Sequence, residues 1–301
     1  MTTAFVLAGG GSLGAVQVGM LQALGDAGVR PDVLIGTSAG AMNAAWVGGH
    51  GMSRESLDGL AALWEGLRRH DVFPVDPGRL ARGLLGASAA LCSPDRLRGL
   101  VRANAGYDDL ADASIPVEVL TTDLLTGLPV VLSTGPVADA VVASAAVPGI
   151  FPPTVVDRRH LVDGGVAGHG GVGRAVELGA DVVYVLPTGA ACALAHPPRT
   201  AIGVALHALT LVIQRRLSAE VAALGPEPGS VLRVLPPLCP LGIPPTDFAQ
   251  AAALVRRGRE ASTRWLATGG TELPAQHRFL RLHSHEPVSR PDDPHRSARP
   301  A

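Results

Sequence analysis

The sequence predicts an α/β fold with a mostly parallel central sheet flanked by helices on both faces. Three observations carry that expectation. Short apolar runs end at glycines, helical stretches of small residues follow them, and the alternation repeats twice within the first fifty residues. The chain has 301 residues, 47% of them apolar and 17% charged. That is long enough to bury a substantial core in one or two domains.

Ala4-Phe5-Val6-Leu7 reads as a buried strand stopping at Gly9-Gly10-Gly11. Residues 14–28 follow as a helix, with Val18, Leu21 and Leu24 at helical spacing and Gly28 suited to its C-terminal cap. Asp32-Val33-Leu34-Ile35 is a second strand ending at Gly36, and residues 38–49 a second helix of small side chains. From about 53 to 112 the pattern is mostly helical, interrupted by Pro74, Pro77 and Pro94. Strands are expected at 115–120 and 128–132, a small-residue helix at 138–146, and a short strand at 160–162 delivering Asp163 to a turn at Gly164-Gly165. A helix over 174–179, a strand over 181–186, a helix over 199–223, a strand over 231–235 and a helix over 247–267 complete the core. One domain over 1–283 is expected, with the Pro-rich polar segment 284–301 as a disordered tail.

Composition removes several classes of function. The 25 basic residues balance 26 acidic ones, so no global field recruits nucleic acid. All 25 are arginines, which excludes Schiff-base and P-loop lysine chemistry. Ten aromatic residues weaken any reading based on stacking platforms for bases or sugars. Cys92, Cys192 and Cys239 are odd in number and widely spaced, giving neither a zinc pattern nor a disulfide framework; they are expected to be buried hydrophobes in a reducing compartment. The N-terminus lacks a basic signal-peptide region, and the best apolar helix, 201–213, is too short for a bilayer, so the expected location is cytoplasmic.

Three glycine-bounded turns carry the candidate chemistry. Gly36-Thr37-Ser38-Ala39-Gly40 has the G-x-S-x-G form, which turns a strand sharply into a helix and raises a serine hydroxyl at the carboxyl edge of a sheet. The helix N-terminus there favours negative charge, although Ser38 would serve equally as an N-cap. Gly9-x-Gly11-x-x-Gly14 matches a dinucleotide fingerprint, but the second strand ends in Gly36-Thr37-Ser38 without an acid for a ribose, and Asp32 stands at its start. The same glycines would also supply backbone N–H groups as an oxyanion hole, or merely a close-packing turn. Asp163 suits a base for Ser38 if burial raises its pKa, and also suits a plain turn residue. Among ten histidines, His169 in the 168–173 glycine loop is the one near a candidate turn, while His207 falls in an apolar helix.

Taken together and in this order, GGGSLG, GTSAG and DGG, with SAAVPGIFPP at 144–153 before the last, resemble the patatin-like phospholipases over roughly residues 4–187. The resemblance implies a three-layer lipid acyl hydrolase with a Ser–Asp dyad, no catalytic histidine, and no metal or organic cofactor. Ser38 would be the nucleophile and Asp163 its general base. The N–H groups of Gly10, Gly11 and Ala39 would form the oxyanion hole, with Gly9, Gly14, Gly36, Gly40, Gly164 and Gly165 as motif glycines. The substrate would be a lipid or fatty-acyl ester, with transient membrane contact and no nucleic acid. The chain departs from the family pattern at Leu13, where many members carry a cation, and at His169 and Gly171, where Asn and Pro often stand. Two other functions remain open: a catalytically silent regulatory or scaffold protein, and a nucleotide-binding protein using the first turn.

Overall fold

Short apolar strands, buried on both faces, build the spine of the molecule. The computed structural model describes residues 1–74, 78, 90–167, 171–189, 197–223, 230–239, 241–269 and 280. Its strands are β1 (Thr3–Leu7), β2 (Val33–Gly36), β3 (Val117–Asp123), β4 (Pro129–Leu132), β5 (Thr154–Val156), β6 (Arg159–Asp163), β7 (Val182–Leu186) and β8 (Val231–Val234). They form one eight-stranded sheet in the order β5-β6-β3-β2-β1-β7-β8, with β4 also paired to β3. Strands β3, β2, β1, β7 and β8 run parallel, whereas β4, β5 and β6 are antiparallel to their partners. The sheet is therefore mostly parallel, as the βαβα pattern predicts.

Parallel strands need crossovers, and helices supply them on both faces. The described helices are α1 (Ala15–Asp26), α2 (Ala39–His50), α3 (Arg54–Gly66), α4 (Arg69–Val72), α5 (Asp95–Asn104), α6 (Val137–Ser144), α7 (Gly171–Glu177), α8 (Ala201–Ala223) and α9 (Ala251–Ala267). A 3₁₀ turn over Gly11–Gly14 leads into α1. On one face Phe5, Leu7 and Leu34 meet Leu21 of α1, Val47 of α2, Trp64 of α3 and Leu254 of α9. On the other face Ala4, Val6 and Ile35 meet Val172 of α7 and Leu217 of α8. Neighbours along one strand thus serve opposite layers, the two-residue period of a pleated strand. No helix among the described residues is long and apolar enough to cross a membrane.

Several expectations are amended. The β5–β6 hairpin was not expected, because the prolines before it mask a three-residue edge strand. Its turn places Asp157 and Arg158 at φ 47° and 64°. Helix α9 begins at Ala251 rather than 247, because the Asp247 side chain accepts from the Ala249 N–H in a turn. Cys92 is buried, but Cys239 is exposed, which corrects the expectation that all the cysteines are core residues. Pro77, His169, Cys192, His277, His283, His285, His295 and the segment 284–301 lie outside the described residues.

Candidate active site

Strand β2 ends one position beside β1, with Leu7 opposite Gly36, so the first two glycine turns emerge next to each other at the carboxyl edge. The Thr37 N–H still donates to the Leu7 carbonyl at 3.0 Å, and the chain then reverses into α2. Gly40 lies flush against β1, where any Cβ would run into the Leu7 carbonyl oxygen. Ser38 adopts φ 54°, ψ −120°, a conformation that favours glycine. It stands at the N-cap position of α2, but its side chain makes no capping hydrogen bond. The N-cap explanation of this serine is therefore removed. Its N–H donates instead to Ser144 Oγ at 2.8 Å, and the Ser144 hydroxyl donates to the Leu120 carbonyl at 2.6 Å.

Asp163 closes β6, opposite Thr121 of β3. Its N–H donates to the Ala146 carbonyl at 3.0 Å, and its carbonyl accepts from the Thr122 hydroxyl at 2.9 Å. Thr122 Oγ1 also accepts from the Ala167 N–H, so one threonine holds both sides of the Asp-Gly-Gly turn. The carboxylate accepts from the Gly165 N–H at 2.9 Å, and the Ser38 side chain lies close enough to lower its pKa. Only 4% of Asp163 is exposed. Burial pushes its pKa up to about 6, while the Gly165 hydrogen bond and the nearby Ser38 side chain pull it part of the way back. From above, Ile213 of α8 covers Gly165, and the Arg216 guanidinium donates to the Val166 carbonyl.

The first turn lies against Ser38, since a Cβ built on Gly9 would stand 3.1 Å from Ser38 Cβ. The Thr188 hydroxyl donates to the Gly9 carbonyl at 2.8 Å and leaves no room for a side chain on Gly10. Gly11 takes φ 57°, and the next N–H, of Ser12, donates to the Pro245 carbonyl at 2.7 Å. The N–H groups of Gly10, Gly11 and Ala39 donate to no acceptor among the described residues. Gly14 packs against Trp64 and Ala39, and Gly164 against the Leu120 carbonyl.

A buried polar chain secures this turn from behind. Gln17 Nε2 donates to the Ala8 and Leu186 carbonyls, both at 2.8 Å. Asn43 Nδ2 donates to Gln17 Oε1 at 2.9 Å and to the Gly14 carbonyl at 3.0 Å, and Trp64 Nε1 donates to Asn43 Oδ1 at 2.8 Å. Gln17 and Asn43 are fully buried, and the chain ties together the ends of β1 and β7 and the starts of α1 and α2. Sequence reasoning missed Gln17, Asn43, Thr122 and Ser144. A polar residue inside an otherwise apolar small-residue helix was the available signal for Asn43 and Ser144.

Other candidates sit elsewhere. Asp32 accepts from the Thr3 N–H at 2.7 Å at the opposite sheet edge, away from the Gly9–Gly14 turn, so the fingerprint has no ribose acid beside it. His50 meets the Asn104 carbonyl and His70 meets Asp71, and no histidine among the described residues bonds Ser38 or Asp163. Phe151 in the 147–153 segment is core, packed with Cys92 and Ala146 and stacked on Phe73 at 5.6 Å. Clefts between α1, α3 and α9 lie at the far end of α1, where Asp26 pairs with Arg259 at 2.6 Å. Among the described residues no group of three or more His, Cys, Asp or Glu side chains could hold a metal ion.

The chain is 34% identical over 164 residues to an uncharacterized NTE family protein of Mycobacterium tuberculosis, covering 54% of this chain and 42% of that one. It is 27% identical over 191 residues to the lysophospholipase nte1 of Aspergillus terreus, covering 61% of this chain and 12% of that one. The chain thus spans less than half the length of either relative. The crystal structure of VipD from Legionella pneumophila superimposes with a TM-score of 0.47 at 16% identity, covering 89% of this chain and 67% of that one. The family profile described as patatin-like phospholipase matches residues 5–174, from β1 through the Ser38 and Asp163 turns into α7. The chain belongs to the patatin-like phospholipase family.

Proposed function

We propose that the protein is a lipid acyl hydrolase that cleaves carboxylic esters of phospholipids or related lipids with Ser38 as nucleophile and Asp163 as general base. The observation that carries this is the buried Asp163 carboxylate, raised to a pKa of about 6 and set beside the Ser38 side chain. A carboxylate near that pKa is ionised at neutral pH yet basic enough to take a hydroxyl proton in the transition state. The fungal relative's name, lysophospholipase, supports the substrate class.

In this reading the ester carbonyl enters between the first turn and Ser38. As Ser38 Oγ bonds to the carbonyl carbon, its proton passes to Asp163, and the unpartnered N–H groups of Gly10, Gly11 and Ala39 receive the oxyanion. Collapse of the tetrahedral intermediate breaks the ester C–O bond, and the alcohol leaves with the proton from Asp163. Water then loses a proton to the same carboxylate as it attacks the acyl-enzyme, and the fatty acid departs as the proton returns to Ser38. No step requires a histidine, a metal or an organic cofactor. The strained φ of Ser38 fits a nucleophile held out of the helix by the turn. A cytoplasmic location remains part of this proposal.

The test is a fluorophosphonate probe together with hydrolysis of p-nitrophenyl acyl esters. The probe is expected to label Ser38, and Ser38→Ala and Asp163→Asn each to remove hydrolysis with the fold intact. Labelling at another serine, or no labelling of the folded chain, overturns the proposal in favour of a different nucleophile or a silent scaffold.

A further inference from the structure

Two apolar prominences rise on the sheet edge that carries Ser38. Strand β3 continues past the last β2 pairing, Gly36 with Val119, to Asp123. At about 3.3 Å per residue it reaches roughly 13 Å beyond the start of the serine turn. It ends in the loop 124–128, where Leu124 is 49%, Leu125 77% and Leu128 63% exposed. That loop is preformed rather than loose. Asp123 Oδ1 accepts from the Leu125 and Thr126 N–H groups, the Asp123 carbonyl accepts from Gly127, and the Leu124 N–H donates to the His160 carbonyl of the β5–β6 hairpin. A rigid loop that presents three leucines to water has no account in the packing of the fold.

The second prominence is α8. Ile213 covers Gly165, and further along Glu220 accepts from the Gly173 N–H while Leu217 and Val221 lie against the sheet face. The helix therefore descends along the face from Ile213, and residues 203–212 stand above the Asp163 turn by up to about 15 Å. No described side chain in 203–213 is buried, and the segment 201–214 carries no Asp, Glu or Arg. Cations stand beside both prominences: Arg158 and Arg159 at the hairpin next to the leucine loop, and Arg215 two residues after Ile213. All three are exposed, and none forms an ion pair among the described residues. Nearby acids are Asp157, exposed on the same hairpin, and Asp123, whose carboxylate is held by the loop amides. Asp157 and Arg158 form the two-residue turn of that hairpin, which requires the positive φ of both and leaves Arg158 at its tip.

We infer that this edge docks on an anionic phospholipid bilayer, with Leu124, Leu125 and Leu128 and the first half of α8 entering the acyl boundary and Arg158, Arg159 and Arg215 meeting headgroup phosphates. Apolar tips flanked by cations fit an anionic bilayer, whereas a second copy of the chain would have to match those cations with acids, and the described acids of this edge are Asp157 and the amide-held Asp123. Docked in this way, Ser38 and Asp163 face the ester region from just below the tips. The proposal rests on the lipid hydrolase reading only in naming the bilayer lipid as substrate.

The test is co-sedimentation of the full chain, in the Ser38→Ala background, with vesicles of phosphatidylcholine alone or mixed with phosphatidylglycerol. Wild-type surfaces are expected to bind, more strongly to the anionic vesicles. L125S/L128S and V204S/V212S are each expected to lower partitioning by on the order of tenfold per side chain. R158S/R159S is expected to remove the preference for anionic vesicles. With Ser38 restored, all three variants are expected to keep hydrolysis of the soluble ester p-nitrophenyl butyrate while losing hydrolysis of vesicle lipid. Absence of vesicle binding, or equal binding by all variants, overturns the proposal. Self-association of the chain that L125S/L128S abolishes would overturn it by showing a contact between copies. Soluble-ester hydrolysis without vesicle binding would sink the docking surface alone; vesicle binding without any esterase activity would sink the hydrolase reading alone.

Discussion

The backbone N–H of Ser38 is held by the hydroxyl of Ser144, 2.8 Å away, and that hydroxyl is spent on the Leu120 carbonyl. One fully buried side chain therefore joins the end of α6, strand β3 and the serine turn. Replacing it by alanine leaves a buried donor and a buried acceptor unmatched. Ser144→Ala is expected to lower stability by about 1–3 kcal/mol, read in urea titration. It is also expected to lower kcat more than it raises KM, because the turn that presents the Ser38 hydroxyl loses its anchor.

The pH dependence follows from Asp163. Its carboxyl titrates at about 6, and only the ionised form accepts a proton. Plots of kcat/KM against pH for a soluble ester are expected to rise tenfold per unit below about 6 and to level above it. A limb near 4 would mean that the carboxylate is not desolvated in solution.

Asp163→Asn is expected to cost about 10²–10⁴-fold in kcat/KM while making the fold more stable. The folded pKa lies above the unfolded carboxyl value, so between the two the native state holds a proton that the unfolded chain has lost. Stability contributed by that protonated carboxyl is complete below the unfolded value, and it is lost as pH rises through about 6. The loss amounts to about 3 kcal/mol from the roughly two-unit shift. The asparagine variant should therefore outlast the parent in thermal melts at pH 8 and match it near pH 4.

Backbone strain at Ser38 offers a separate check. Ser38→Gly and Ser38→Ala are both expected to be inactive, but glycine adopts φ 54° without steric cost. The glycine variant is expected to be more stable than the alanine variant by about 1 kcal/mol in denaturant unfolding.

The Gln17–Asn43–Trp64 chain is expected to behave as a unit. Asn43→Leu strands Trp64 Nε1, Gln17 Oε1 and the Gly14 carbonyl, at a cost on the order of 3 kcal/mol. Adding Gln17→Leu should cost less than it does alone, since the partner it would orphan is already gone. A double-mutant cycle reads that difference.

The sequence by itself determined every described sheet strand but β5, together with the crossovers and the three turns, because each is written in local chemistry. A buried parallel strand shows as a β-branched run, and the reversals show as glycines where a side chain would strike backbone, as at Gly40. Tertiary structure alone decided how those turns meet. Ser38 does not cap its helix, and Asp163 is brought near it by antiparallel pairing of β6 with β3. The pKa of that carboxyl depends on burial, which no local pattern records. Gln17, Asn43 and Ser144 look like ordinary polar residues in small-residue helices, and they acquire their partners only when several chain segments converge. Hydrogen bonds across long sequence separations carry no periodic signal, so the support of the site became visible only in the folded molecule.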